Sequence, residues 1–144
     1  MRTTRILLIE DDEADAWLLQ KALQECEADT QIYLIGEGQA ALDFLTQPYS
    51  DNPFTTPDLI FLDLSLPKKS GMQVLQELKS NPRLRYIPVI ILTHTVFEDE
   101  VDQTYHYKAS AYLTKPVCAR EVADIIKYQH LFAPTASQKR FNIV

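Results

Sequence analysis

Five acidic, hydroxyl and amine side chains stand at the ends of short apolar runs in this chain. They are Glu10, Asp11, Asp63, Thr93 and Lys115. Carboxylates gathered in one place repel one another unless a cation neutralises them, and their hard oxygens suit Mg²⁺. An amine and a hydroxyl beside them suit an incoming phosphoryl group, the first as a point charge and the second as a hydrogen-bond donor. These residue types indicate metal-assisted phosphoryl chemistry.

Asp63 is the acid that a phosphoryl donor could reach, because it ends the third and central of five apolar runs. Carboxylates act as nucleophiles and form aspartyl phosphates. A magnesium ion would bridge the carboxylates and the phosphoryl oxygens and offset the charge that develops during transfer. An acid placed directly after residues 59–62 also carries a burial cost that structure alone does not require.

The apolar runs themselves predict the strands that position these side chains. They cover residues 6–9, 32–35, 59–62, 89–92 and 111–113. Each run is too short for a helix and nearly continuous, which is typical of strands buried on both faces of a parallel sheet. Strand ends collect at one edge of such a sheet, where ligands bind.

Segments with helical spacing lie between and after the runs and predict five helices. They cover residues 16–26, 40–45, 72–79, 98–107 and 120–129. The fourth has the narrowest apolar stripe, made by Val101 and Tyr105. Alternating strands and helices predict an α/β fold with a doubly wound, five-stranded parallel sheet and right-handed crossovers.

Length and composition predict one domain with a protein partner. The 144 residues are 46% hydrophobic, enough for one compact core. We expect a domain over residues 1–131 and a C-terminal tail over 132–144. The 14 basic and 20 acidic residues give a net charge of −6, which argues against nucleic-acid binding. No apolar run approaches the roughly 20 residues that span a bilayer, so we expect no membrane association and a cytoplasmic location.

Four segments in order resemble the receiver domain of two-component response regulators. They are Ile6-Leu7-Leu8-Ile9-Glu10-Asp11, Leu62-Asp63-Leu64-Ser65-Leu66-Pro67, Leu92-Thr93 and Tyr112-Leu113-Thr114-Lys115-Pro116. The resemblance covers about residues 5 to 130 and implies a flavodoxin-like (βα)5 fold. It implies a signalling module that catalyses only its own phosphorylation and dephosphorylation.

The resemblance also implies a role for each matching residue. Asp63 would be phosphorylated, and Mg²⁺ would be held by Glu10, Asp11, Asp63 and the backbone carbonyl of Ser65.

Thr93 and Lys115 would bind the phosphoryl oxygens, while Thr93 and Tyr112 would form the switch that moves on activation. The resemblance also implies a cis peptide bond before Pro116. Gly71 lies at a position where the family keeps a glycine.

A finer resemblance is to the small response regulators paired with cyanobacterial phytochromes. It is carried by Pro67-Lys68-Lys69-Ser70-Gly71, by Ile87-Pro88-Val89-Ile90-Ile91-Leu92-Thr93 and by the proline-rich loop before Asp58. It implies a light-sensing histidine kinase as the phosphoryl donor. It also implies a homodimer formed through the fourth helix, fifth strand and fifth helix.

Two other functions remain as alternatives. Small phosphatases and phosphotransferases also use a strand-end aspartate, but they typically carry a second Asp two positions later, where this chain has Ser65. A receiver that binds partners without phosphorylation would not require Glu10, Asp11, Asp63, Thr93 and Lys115 together. Both alternatives are therefore less favoured than a phosphorylated receiver.

Some further motifs have both a functional and a structural interpretation. Residues 36–41 fit the G-x-G-x-x-A dinucleotide fingerprint, although a turn before the second helix also explains them. Lys68 and Lys69 could contact a kinase or simply be solvated. Cys26 and Cys118 lie in predicted helices without metal-ligand spacing, so we expect reduced, structural thiols.

Aromatic and histidine residues are similarly open. His94 could narrow access to an acyl phosphate and alter its lifetime, or it could be a solvated loop residue. Trp17 is expected to serve packing. Tyr105 and Tyr107 could belong to a dimer surface or to a half-buried helix face.

Overall fold

The computed structural model describes residues 3–26, 29–94 and 97–132, with side chains described as far as Gln129. Five parallel strands form one sheet in the order β2-β1-β3-β4-β5. The strands are β1 Thr4–Ile9, β2 Thr30–Ile35, β3 Leu59–Asp63, β4 Val89–Thr93 and β5 Ala111–Thr114. The helices are α1 Glu13–Glu25, α2 Gly38–Leu45, α3 Gly71–Ser80, α4 Glu98–His106 and α5 Ala119–Phe132, with a 3₁₀ turn at Pro53–Thr55.

The doubly wound α/β prediction is confirmed, because helices cover both faces of the sheet. On one face, α1 and α5 pack against Ile6, Leu8, Phe61, Ile90 and Leu92. On the other face, α2 and α3 pack against the alternate residues of the same strands, such as Leu7 and Ile60. Side chains of β1, β3 and β4 therefore meet apolar layers in both directions, which explains their continuous apolar runs.

The prediction that all five strands are buried on both faces is wrong for the two edge strands. Tyr33 and Leu34 of β2 are 37% and 43% exposed, and three of the four β5 residues are half-buried. An edge strand has a neighbour on only one side, so helices cover it incompletely. Tyr33 shields part of this edge by stacking on Phe44 at a centroid distance of 4.9 Å.

The helix ends follow local capping chemistry. Asp12 caps α1 by accepting a hydrogen bond from the Asp15 backbone N–H, and Ser70 and Gln73 form a reciprocal capping box at α3. The placement of both cysteines within helices is wrong. Cys26 caps the C-terminus of α1 and Cys118 precedes α5, although both are free thiols as expected.

Two predictions about the ends and surroundings of the domain can be compared with this structure only in part. Helix α5 runs through Phe132, the first residue of the predicted tail, and residues 133–144 lie outside the described residues. No helix within the described ranges is both long and apolar enough to cross a membrane.

Candidate functional site

The acidic side chains predicted to lie together do so at the carboxyl edge of the sheet. Carboxylate oxygens of Glu10, Asp11 and Asp63 lie within 4.8 Å of one another. Strand β1 pairs with β3 so that Ile9 faces Leu62, which places Glu10 beside Asp63 one position further along. Glu10 and Asp63 are buried and Asp11 is exposed, so this group of hard oxygens has one open side through which a divalent cation could enter.

Lys115 brings a buried positive charge to the same place from the end of β5. Its Nζ donates hydrogen bonds to Glu10 Oε1 at 2.5 Å and to Asp15 Oδ2 at 3.0 Å. It also lies 3.3 Å from Asp63 Oδ1. Burial alone would lower the pKa of the ammonium, but the hydrogen bonds to Glu10 and Asp15 raise it to about 12. Lys115 therefore stays charged, and the peptide bond joining it to Pro116 is cis.

Glu10 is the carboxylate most affected by this environment. Burial, together with a hydrogen bond to Asp63, raises the pKa of Glu10 to about 7, and Lys115 only partly opposes the shift. Glu10 is therefore partly protonated near neutral pH, and a cation bound by its carboxylate would displace that proton.

The backbone around Asp63 is fixed by β4 and α3. Asp63 Oδ1 accepts a hydrogen bond from the Ser65 N–H at 3.1 Å, and the Leu64 N–H donates to the Leu92 carbonyl at 3.2 Å. The Gly71 N–H donates to the Leu64 carbonyl at 3.1 Å. A Cβ at Gly71 would lie 2.2 Å from the Asp63 carbonyl oxygen, so only glycine allows α3 to begin this close to β3.

Thr93 and Tyr112 lie on the side of the site that faces α4. Strand β3 pairs with β4 so that Asp63 faces Leu92, which places Thr93 one residue beyond it. The buried Thr93 hydroxyl donates to Glu100 Oε1 at 3.4 Å. The ring of Tyr112 is half-buried and meets Tyr105 edge-on at a centroid distance of 6.0 Å.

Sequence reasoning missed two acids of this site, Asp15 and Glu100. Asp15 lies in the first turn of α1 and contacts both Lys115 and His94. Burial by itself would raise the pKa of its carboxyl, but the hydrogen bonds and charges of Lys115 and His94 together lower it. Its spacing from Leu19, four residues later, indicates the inward face of α1 but does not identify Lys115 as the partner.

His94 and Lys68 are largely solvated, whereas the neighbouring Lys69 is half-buried. His94 Nε2 lies 3.4 Å from Asp15 Oδ2, and 66% of its side chain is exposed. Lys68 lies 3.5 Å from Glu37, and Lys69 lies 2.6 Å from Glu77. The lysine charges are therefore paired with acids of α3 and of the turn before α2.

Packing explains the glycine-rich motif at residues 36–41. A Cβ at Gly38 would lie 2.5 Å from Val74 Cγ2 and 3.1 Å from the Lys69 carbonyl. The motif thus permits close contact between α2 and α3, which favours the structural interpretation over a dinucleotide site.

The aromatic side chains divide between surface and core. The packing role expected for Trp17 is wrong, because its side chain lies outside the apolar stripe and is 57% exposed, with Lys21 Nζ 4.9 Å from the ring centroid. Tyr107 packs against the core, whereas Tyr105 is 45% exposed. Of this pair, Tyr105 has the larger surface for a partner.

Comparisons with known proteins agree with this geometry. The family model of the response regulator receiver domain matches residues 6–127. Response regulator Rcp1 of Synechocystis sp. is 43% identical over 124 residues, which are 85% of this chain and 81% of that protein.

Two solved structures share the fold closely. The phosphorylated cyanobacterial phytochrome response regulator RcpA matches with a TM-score of 0.72 and 34% identity, over 92% of this chain and 94% of that one. The Mn²⁺-bound form of Rcp1 matches with a TM-score of 0.71 and 36% identity, over 92% of this chain and 96% of that one.

Proposed function

This chain belongs to the response regulator receiver family, and on that premise we propose that it accepts a phosphoryl group on Asp63. The observation that carries the proposal is the buried Lys115 ammonium between Glu10 and Asp63, with Asp11 at the open side. A buried ammonium beside the acceptor carboxylate can donate hydrogen bonds to the phosphoryl oxygens. Metal-bound and phosphorylated relatives of similar fold support the same chemistry.

Magnesium is the metal we propose for the site. Glu10, Asp11 and Asp63 offer hard carboxylate oxygens within 4.8 Å of one another, and the Ser65 carbonyl would add a neutral oxygen. When bound, Mg²⁺ supplies positive charge that offsets the charge on the phosphoryl oxygens. Loss of the proton from Glu10 accompanies binding, because its raised pKa keeps it partly protonated in the free site.

Transfer joins an Asp63 carboxylate oxygen to phosphorus, while the bond from phosphorus to the donor breaks and the leaving group departs with its electron pair. Lys115 holds the phosphoryl oxygens from the β5 side, and the Thr93 hydroxyl donates to them from the β4 side. Hydrolysis removes the phosphoryl group. A water oxygen attaches to phosphorus, inorganic phosphate leaves and the Asp63 carboxylate is restored.

The output of this chemistry is a change of surface around α4 and β5. In the present structure the Thr93 hydroxyl contacts Glu100 of α4. Movement of Thr93 toward the phosphoryl group breaks that contact, and Tyr112 turns into the space that Thr93 leaves. The surface made by α4 and β5 then repacks and is read by a protein partner.

We propose a sensor histidine kinase, specifically a cyanobacterial phytochrome, as the phosphoryl donor. The relative RcpA is described as a cyanobacterial phytochrome response regulator, which supports this class of partner. The receiver would occupy residues 1–131, act in the cytoplasm and form a homodimer through α4, β5 and α5. A net charge of −6 makes nucleic acid an unfavourable partner.

Phosphotransfer with matched variants tests the proposal. The parent protein is incubated with Mg²⁺ and either radiolabelled acetyl phosphate or a panel of labelled histidine kinases that includes a phytochrome kinase. We expect Mg²⁺-dependent label that stops at a stoichiometric amount and is absent from Asp63→Asn. The control is Asp12→Asn, which removes a nearby charge while Asn still caps α1. Label that persists in Asp63→Asn, or turnover of a phosphomonoester by the parent, would contradict the assignment.

A further inference from the structure

Asp15 is the outermost of the three acids that surround Lys115. Its Oδ2 lies 3.0 Å from Lys115 Nζ, between the distances for Glu10 at 2.5 Å and Asp63 at 3.3 Å. The Asp15 side chain is 18% exposed, compared with 1% for Glu10 and 5% for Asp63. Asp15 therefore lies at the mouth of the site, and the other two acids lie inside it.

The Asp15 carboxylate contacts Lys115 and is not one of the carboxylates that could hold a metal ion. The carboxylates that could share a cation are Glu10, Asp11 and Asp63. Asp15 comes from the first turn of α1, and its second contact is His94 at 3.4 Å. Its carboxylate therefore acts on the reaction through Lys115 and the local electrostatic potential, and not as a metal ligand.

The ammonium of Lys115 has three N–H donors and three acidic neighbours. Two of those donors bond Glu10 and Asp15, and the contact with Asp63, the proposed acceptor, is longer at 3.3 Å. A phosphoryl group on Asp63 therefore meets an ammonium that Glu10 and Asp15 already share. Glu10 is almost fully buried and makes the shortest contact, so it keeps the lysine in place. The partly exposed Asp15 is the acid that competes with phosphoryl oxygens for the ammonium.

We propose, on the basis of the proposed function, that Asp15 is a positioning residue that restrains phosphoryl acceptance. It occupies one donor of Lys115 and adds negative charge where a phosphoryl group would bring more. Neutralising Asp15 leaves Lys115 held by Glu10, weakens the second hydrogen bond of the ammonium and makes the site more favourable for an anion.

The test compares Asp15→Asn with Glu13→Gln, which removes the same charge from the same helical turn but from a side chain outside the Lys115 contacts. Affinity for beryllofluoride at saturating Mg²⁺ is measured by fluorine NMR. We expect Asp15→Asn to bind about fivefold more tightly than the parent, and Glu13→Gln to differ little from it.

Kinetics separate a positioning role from a general structural one. With acetyl phosphate, Asp15→Asn should lower the half-saturating donor concentration about fivefold and leave the maximal rate of labelling nearly unchanged. The ratio between variant and parent should shrink as salt is raised, because the effect is electrostatic. Asp15→Ser serves as a second variant if Asp15→Asn melts at a lower temperature than the parent.

Each outcome decides the matter. Equal affinity of Asp15→Asn and the parent would overturn the inference, and so would weaker binding, since Asp15 would then support Lys115 rather than compete for it. Both results leave phosphorylation of Asp63 intact. A parent protein that takes no label with either donor overturns the proposed function and this inference together.

Discussion

Helices α3 and α4 follow the two strands that end at Asp63 and Thr93, yet they are attached to the protein very differently. Helix α3 buries Gly71, Val74, Leu75 and Leu78, whereas Thr104 is the buried residue of α4. A capping box fixes the start of α3, while Phe97 gives α4 no side-chain cap. The proposed function, in which Asp63 stays fixed while Thr93 moves, would make use of this asymmetry.

Replacing Gly71 by Ala should have the largest effect, because it acts where α3 touches β3. The added methyl would meet the Asp63 carbonyl and Leu64 Cα at 2.2 and 2.5 Å, which backbone atoms cannot easily avoid. We expect a loss of more than about 3 kcal/mol in the free energy of unfolding, measured by urea denaturation.

Gly36→Ala is the matched control, because a Cβ there meets its nearest atom at an ordinary 3.8 Å. It should change stability by less than about 1 kcal/mol. Similar losses in both variants would show that α3 is not closely fixed to β3.

Truncating one apolar side chain in each helix tests the packing difference directly. Leu78 of α3 is fully buried and Val101 of α4 is half-buried. Leu78→Ala should cost about 3 kcal/mol and Val101→Ala no more than about 1 kcal/mol in the same unfolding measurement. Equal costs would remove the distinction between a fixed and a loosely packed helix.

The acidic cluster at the ends of β1 and β3 should make Mg²⁺ binding depend on pH. Burial raises the pKa of Glu10 to about 7, and the metal requires the carboxylate form. Isothermal titration should find affinity about tenfold lower at pH 6 than at pH 8.

The raised pKa of Glu10 has the opposite pH dependence in its effect on folding stability when no metal is bound. Between pH 4.5, the ordinary pKa of a glutamate, and about 7, the folded state binds more protons than the unfolded state. This contribution to stability therefore falls as pH rises through that range. Glu10→Gln should bind Mg²⁺ weakly at both pH values, and a variant that kept the pH step would assign the proton to another group.

Removing the cap of α3 should have a moderate effect. The Ser70 hydroxyl accepts from the Gln73 N–H at 3.2 Å, and Ser70→Ala should lower the free energy of unfolding by about 1 kcal/mol. Ser80→Ala at the other end of α3 is the control and should change it by less than about 0.5 kcal/mol. If the control costs as much as the cap, the start of α3 is not specially fixed.

The smallest effect is expected at His94, on the α4 side. Its ring is mostly exposed and its contact with Asp15 is long, at 3.4 Å. His94→Ala should alter the rate of dephosphorylation by no more than about twofold, measured by decay of labelled protein. A larger change would support the hypothesis that His94 controls access to the acyl phosphate.

The sequence was most informative where burial and chemistry coincide. Continuous apolar runs marked β1, β3 and β4, and a parallel sheet necessarily collects their ends, so Glu10, Asp63 and Thr93 could be placed together in advance. The same rule misjudged β2, because an apolar run does not reveal whether a strand lies at the edge.

Asp15 could not be assigned in the same way. An acid in the first turn of a helix is ordinarily explained by the helix dipole. Its contact with Lys115 depends on how α1 lies relative to the end of β5, which only the tertiary structure gives. Trp17 was misjudged for a related reason, since an aromatic residue next to an apolar stripe can point either way.

Trp17 provides an intrinsic fluorescence probe beside the site. It is the single tryptophan of the chain, and its indole lies two residues beyond Asp15, more than half exposed and 4.9 Å from an ammonium. Intrinsic emission and its quenching by iodide therefore report on one turn of one helix beside the site, and they allow rearrangements there to be followed in real time without attaching a dye.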